Sequence, residues 1–283
     1  MNPFHAGEIA LQQRAGVRSM AERVGKSIGA RFPPVARDFV ASQRVAYFSI
    51  ANNDGELWTH LLSGEAGFLR VEADETLHIL APSLPDAREG AAVGLLLLEA
   101  ATRRRMRCNG VLERSEIGWS VRPTQVYSNC PKYIQARDII GADGAKLPQT
   151  VGGTALNSEI RAWIEGADTF FIGTRHETGV DCSHRGGSPG FVRVQNEALV
   201  WPDYAGNAMF NTLGNLESDP SCGLLFVDFE RGATLQLTGR AQVNWQGTER
   251  EVEFVPSAWR ITQNATLWRF GAAAFLPFNP PLA

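Results

Sequence analysis

Gly67-Phe-Leu-Arg-Val71 returns 123 residues later as Gly190-Phe-Val-Arg-Val194. Working outward, Glu75-Thr-Leu77 answers Glu197-Ala-Leu199, and Gly94-Leu-Leu-Leu-Leu-Glu99 answers Gly223-Leu-Leu-Phe-Val-Asp228. Asn109-Gly110 then answers Thr238-Gly239. Gly94 and Gly110 are 16 residues apart, as are Gly223 and Gly239, so the register holds across the whole stretch. A period of this kind marks a duplicated domain. The important difference between the copies is one of length: 17 residues separate Leu77 from Gly94, but 24 separate Leu199 from Gly223. The second copy therefore carries a longer segment, Pro202-Asp-Tyr-Ala-Gly-Asn-Ala-Met-Phe-Asn-Thr-Leu-Gly-Asn-Leu216, and chemistry is expected there. Its counterpart in the first copy is the shorter Ala81-Pro-Ser-Leu-Pro-Asp-Ala-Arg-Glu-Gly90.

A chain of 283 residues can bury one large core or two ordinary ones. With 44% hydrophobic and 20% charged residues it reads as globular. A net charge of -3 argues against a protein that holds nucleic acid by neutralising phosphates, so no nucleic-acid partner is expected. No apolar run reaches the roughly 18 residues of a membrane span, and the N-terminus lacks the pattern of a signal peptide. The expectation is a cytoplasmic protein with no membrane partner. The four cysteines, Cys108, Cys130, Cys182 and Cys222, form no Cys-x-x-Cys pair and no His/Cys cluster with ligand spacing, so reduced thiols and no metal are expected. Cys130 and Cys182 read as buried small residues.

Residues 1–36 read as an N-terminal helical arm, with Val17, Met20 and Val24 on an apolar stripe that packs on something else. A short helix at 37–42 opens a first β-rich unit, 37–137, whose strands are expected at 45–50, 57–62, 68–71, 76–80, 94–98, 107–113 and 118–126. The turn signals between them suit a small barrel. Residues 138–156, rich in Gly and Asp, read as a linker. A second helix at 157–165 opens the second unit, 157–283, which ends in an aromatic and Pro-rich tail, 268–281, pinned to the surface. The fold class expected is mainly β: two tandem split β-barrels with short helices, packed on each other as a pseudo-dimer.

The stretch Cys182-Ser-His-Arg-Gly-Gly-Ser-Pro-Gly-Phe-Val-Arg-Val194, followed by Trp201-Pro-Asp-Tyr-Ala-Gly-Asn207, resembles the pyridoxamine 5'-phosphate oxidase-like flavoproteins, which are FMN-binding split β-barrels. Gly214-Asn-Leu-Glu-Ser-Asp-Pro220, Gly223-Leu-Leu-Phe226 and Leu235-Gln-Leu-Thr-Gly239 continue the likeness over about residues 170–243. The first half is similar more weakly, through Arg103-Arg-Arg-Met-Arg-Cys-Asn-Gly110 and Asn129-Cys-Pro-Lys-Tyr-Ile-Gln135, to a two-barrel branch of the family. Some of that branch carry a ferredoxin-reductase module, for which these residues hold no GxGxxG and no iron–sulfur cysteine cluster.

The resemblance implies a flavin between two barrels. It implies that the strand from Val180 to Arg185 lines the ring and ribityl chain, with Asp181, Cys182, Ser183, Arg185 and the adjoining Gly186 as cofactor-binding residues. It further implies that Trp201, Pro202, Asp203, Asn207, Asn211 and Asn215 stand at the phosphate end. A loop rich in Gly and Asn exposes backbone N–H groups before a helix start, which suits phosphate. Where relatives place Arg or Lys, Ala208-Met209 follows Asn207, so phosphate affinity rests on Arg185 and backbone amides. Lys132 suits a flavin or substrate oxygen, or else stands at a helix start. Asp203 either meets the flavin's polar edge or caps a turn. His184 alternates with Ser183 and reads as structural, facing away from the ligand, and His60 reads likewise.

One FMN per chain is expected, with the first barrel as a wall contributed by Lys132 and the Asn109-Gly110 edge. An FMN-dependent oxidoreductase using a small-molecule substrate or reductant is the leading expectation. A flavin- or heme-binding protein without turnover and a deazaflavin-dependent reductase stay open as alternatives. A homodimer, additional to the internal pseudo-dimer, also stays open.

Overall fold

The computed structural model describes residues 2–73, 75–81, 84–144, 146–177, 179–275 and 279–280. Pro82 and Ser83 of the short segment, and the last stretch of the expected tail and second unit, lie outside them. Three helices come first: α1 (Ala6–Arg14), α2 (Arg18–Gly25) and α3 (Ala36–Ser42). The arm is thus two helices, broken where Gly16 takes a positive φ of 68°. The first unit holds β1 (Val45–Ala51), β2 (Leu57–Ser63), β3 (Leu69–Glu72), β4 (Thr76–Ile79), β5 (Ala92–Glu99), β6 (Arg104–Ser115) and β7 (Gly118–Ser128). Next come β8 (Ile139–Ala142), β9 (Gln149–Gly153) and α4 (Ser158–Gly166). The second unit holds β10 (Thr169–His176), β11 (Gly179–Gly186), β12 (Arg193–Gln195), β13 (Ala198–Pro202), α5 (Asn211–Ser218), β14 (Ser221–Asp228), β15 (Ala233–Gln246), β16 (Glu249–Gln263) and β17 (Trp268–Phe270).

The duplication is complete at the level of topology. The first sheet runs β2-β1-β5-β6-β7-β4-β3 and the second runs β11-β10-β14-β15-β16-β13-β12, all antiparallel along each path. Even the irregularities repeat. The β6–β7 ladder shifts register at Asn109/Gly110, and the β15–β16 ladder shifts at Thr238/Gly239, the pair matched in the sequence. The fold is therefore the mainly β pair of split barrels that the repeat predicts.

Continuous apolar runs in β1, β5, β10 and β14 follow from burial on both faces. In β1, Ala46, Phe48 and Ile50 enter the first barrel's core, while Val45 and Tyr47 enter a third core between the barrels. In β10, Phe170 and Ile172 face the second barrel's core and Phe171 faces the same central layer. Tyr47 and Phe171 stack there with centroids 3.4 Å apart. Two glycines let the barrels touch. A Cβ on Gly94 would lie 2.6 Å from the Asp181 Cα on β11, and one on Gly223 would lie 2.6 Å from the Leu57 carbonyl oxygen on β2. Each copy's glycine strand thus abuts the second strand of the other copy.

Residues 138–156 are more than a linker. β8 pairs with β17, and β9 extends the second sheet by pairing with β16, whose edge there offers free backbone groups. α4 starts on Asn157, whose side chain accepts from the Ile160 N–H.

Candidate functional site

Seams between the copies put β11 beside β6 and β2 beside β15. At the first seam lies a cavity of about 410 Å3, within the range usual for small-molecule sites. Its walls come from both barrels and the arm. The first barrel supplies Arg105, Arg107, Cys130, Lys132 and Tyr133, and the second supplies 184–186, 202–208, 210–213 and Arg250. Ala15, Val17 and Met20 close it from the arm.

The lining is basic: Arg105, Arg107, Lys132, Arg185 and Arg250 stand against one carboxylate, Asp203. Arg250 pairs with Asp203 at 2.9 Å, and Arg185 lies 3.9 Å from it. Arg107 reaches across the seam from β6. It meets Asp181 of β11 at 2.8 Å and Tyr127 at 3.1 Å, and it donates to the Ser183 hydroxyl. Burial opposes its charge, yet Asp181 and Tyr127 hold its pKa above the ordinary arginine value. Arg105 has no such partner: its Nε is buried and unbonded. Burial, followed by repulsion from Arg107 and Arg185, pushes it down to about 9. Arg107 Nε and His184 Nε2 are likewise buried without partners. Burial and then the surrounding arginines, Arg105 first, drive the His184 pKa well below its usual value, so its ring is neutral.

The loop is strained where it meets the cavity. Ala208 and Phe210 both take a φ of 64°, and Tyr133 takes 63°. Left-handed backbone at non-glycine residues costs on the order of 1–3 kcal/mol each and gathers at functional sites. The arm braces this loop: Glu8 accepts from Asn211 Nδ2 at 2.6 Å, and Gln12 donates to the Met209 carbonyl at 2.8 Å. Gly7 and Gly214 let α1 and α5 approach closely, since a Cβ on Gly7 would sit 2.4 Å from the Gly214 oxygen.

Of the residues singled out in the sequence, Lys132, Arg185, Gly186, Pro202, Asp203, Asn207 and Asn211 line this cavity. Five lie elsewhere. Cys182 is buried in the layer between barrels, and Trp201 fills the second barrel's core, because β11 and β13 turn those side chains inward. Ser183 lies beneath Arg107 and Thr212, whose hydroxyl bonds it at 2.9 Å. Asp181 and Asn215 line a different cavity, as do Asn109 and Gly110. Asn215 belongs to α5, and its amide is spent on Thr174 and His5, each at 2.9 Å.

His184, read as facing away, lines the cavity instead, because the end of β11 presents 184, 185 and 186 together. Lys132 stands in a turn and starts no helix. Cys130 is exposed, against the expectation of burial, since the chain leaves β7 before reaching it. The sequence reading missed Arg105, Arg107 and Arg250. The first two were legible as differences between the copies: Arg105 lies opposite Leu98 and Arg107 opposite Leu96, positions that Thr234 and Gln236 hold against Val227 and Leu225.

The second seam is filled. Gln236 Nε2 donates to the Thr59 carbonyl at 2.7 Å and meets His60 Nδ1 at 3.0 Å. Asp86 lies 3.2 Å from His60 Nε2 and 3.5 Å from Arg260, whose guanidinium covers Trp58 at 3.9 Å. By register His60 is the counterpart of Ser183 and not of His184, since it lies opposite Phe48 as Ser183 lies opposite Ile172.

The chain is thus two split barrels with a basic cavity on one seam. Residues 156–274, most of the second unit, match the family model described as pyridoxamine 5'-phosphate oxidase. No curated protein sequence matches the chain. Among solved structures, a point variant of HupZ from Group A Streptococcus is 14% identical, with a TM-score of 0.31. It aligns over 99% of its own length and 38% of this chain. A FAD-binding protein from Mesorhizobium loti is 8% identical with a TM-score of 0.31, covering 98% of itself and 41% of this chain. A protein related to general stress protein 26, from Clostridium acetobutylicum, is 14% identical with a TM-score of 0.29, covering 91% of itself and 40% of this chain. No helix among the described residues is long and apolar enough to cross a membrane.

Proposed function

We propose that the protein binds one FMN at the open seam and acts as a flavin-dependent oxidoreductase on a small molecule. The observation that carries this reading is Arg105, a cation with a buried, unbonded Nε in a cavity already rich in arginine. A phosphate monoester supplies what it lacks, through charge-assisted hydrogen bonds. The strained 208–210 backbone and the free Nε of Arg107 suit the same anion. A bound flavin would supply the hydride or electron chemistry. The chain's own share is to hold the phosphate with Arg105, Arg107 and Arg185, to seat the cofactor against β11, and to close the cavity with the arm.

The absorption spectrum of the purified protein tests this. Oxidised-flavin bands that bleach with a reduced nicotinamide support it. A colourless protein that gains no thermal protection from added FMN overturns it. Heme binding is favoured by one observation only, the unpartnered Nε2 of a neutral His184 at the cavity wall. A Soret band that disappears in His184→Ala would establish heme in place of flavin.

A further inference from the structure

A second cavity, of about 420 Å3, lies on the far side of the Arg107–Asp181 pair. It is roofed by the N-terminal residues 2–5 and Glu8, and floored by β6, β7 and β11 through Asn109, Thr124, Gln125 and Asp181. Its chemistry is the opposite of the basic cavity. Glu8, Asn109 and Asp181, only 4%, 6% and 3% exposed, line it, and among the described residues no arginine or lysine does.

Asn109 is decisive. Its amide nitrogen donates to Asp181 Oδ1 and to Gln125 Oε1, both at 3.1 Å. A flipped amide would set its oxygen against the Asp181 carboxylate, which has no proton to give, so the orientation is fixed. Asn109 Oδ1 is then left buried with no donor, a deficit costing about 1–3 kcal/mol unless something fills it. Nearby donors do not fill it: the Arg107 Nη atoms are spent on Asp181, Ser183 and Tyr127, its unbonded Nε makes no bond to Asn109, and the Asn211 amide is spent on Glu8.

We propose that this cavity is a binding site for a small organic cation bearing N–H groups, a primary ammonium or guanidinium. The ligand donates to Asn109 Oδ1 and takes its charge complement from the Glu8 carboxylate, since Asp181 is already paired with Arg107. Its aliphatic part rests on Phe4 under the arm. The site does not depend on the flavin reading: it shares only Asn211 with the basic cavity, and it selects a charge opposite to that of the basic cavity.

Calorimetric titration of the purified full-length protein tests it with three probes. n-Butylammonium has the charge and the N–H groups, tetramethylammonium has the charge alone, and butyrate has the opposite charge. Saturable binding of n-butylammonium only is expected. Asn109→Ala should weaken it about tenfold or more. Thr124→Trp, at an exposed position that lines the cavity, should weaken it as much by filling the space, and decides the matter if Asn109→Ala fails to fold. No saturable n-butylammonium binding, equal binding of tetramethylammonium or butyrate, or unchanged affinity in a folded Thr124→Trp variant would overturn the proposal.

Discussion

The two seams of this molecule are built from equivalent strands and end in opposite states. At one, Arg105 and Arg107 enter from β6, and a long segment ending in α5 leaves space between the barrels. At the other, Thr234 and Gln236 hold those positions, and Arg260 and Asp86 pack over Trp58 and His60. A duplicated fold supplies two sites by symmetry. Two strand positions, one loop and the Arg260 and Asp86 packing distinguish the open seam from the filled one. The arm enforces the asymmetry, because α1 docks on α5 through Gly7 and Gly214 and through Glu8 and Asn211.

The comparison breaks most readily at Arg107. With side chains 7% and 5% exposed, Arg107 and Asp181 form a buried pair across the open seam. Removing one partner leaves the other charge buried and uncompensated. Arg107→Ala should cost about 3–5 kcal/mol, read as a lower urea midpoint. A loss under a tenth of that would show that the pair does not tie the barrels together.

The two glycines sharpen the comparison. Gly94→Ala and Gly223→Ala each force a methyl against the opposite barrel's backbone, at about 1–3 kcal/mol. Gly94 abuts Asp181, so its substitution should also lower flavin affinity, while Gly223 abuts the filled seam and should leave that affinity unchanged. Equal effects on binding would mean that the seams are functionally alike.

The smallest effect concerns acid. Burial holds the His184 pKa well below the ordinary histidine value, and that of His60 below it too. The unfolded chain therefore takes up protons that these rings refuse, and stability present above about pH 6.5 declines as pH falls below it. Each ring contributes at most about 1.4 kcal/mol per pH unit. His184→Asn should flatten that slope in denaturation curves between about pH 6.5 and pH 5. An unaltered slope would show that His184 titrates normally.

The repeat made the architecture legible, down to the bulges at Gly110 and Gly239, because strand periodicity and glycine spacing are local properties of the chain. The site was only half legible. Residues of the long segment were found because they sit in one stretch, whereas Arg105 and Arg107 reach the cavity through the packing of one copy on the other. Trp201 and Cys182 misled for the converse reason. They lie within the family-like stretch, but the pleat turns them toward core. β8 and β9 escaped notice because they are short, exposed strands within a stretch rich in Gly and Asp, which reads as a loop.

The most direct test of the central claim is a titration of the ligand-free protein with FMN and, separately, with riboflavin, which lacks the phosphate. One FMN per chain, riboflavin bound far more weakly, and a gap between the two that narrows in Arg105→Gln are the results predicted. Two FMN per chain, or equal affinity for both flavins, would contradict a single phosphate-holding seam.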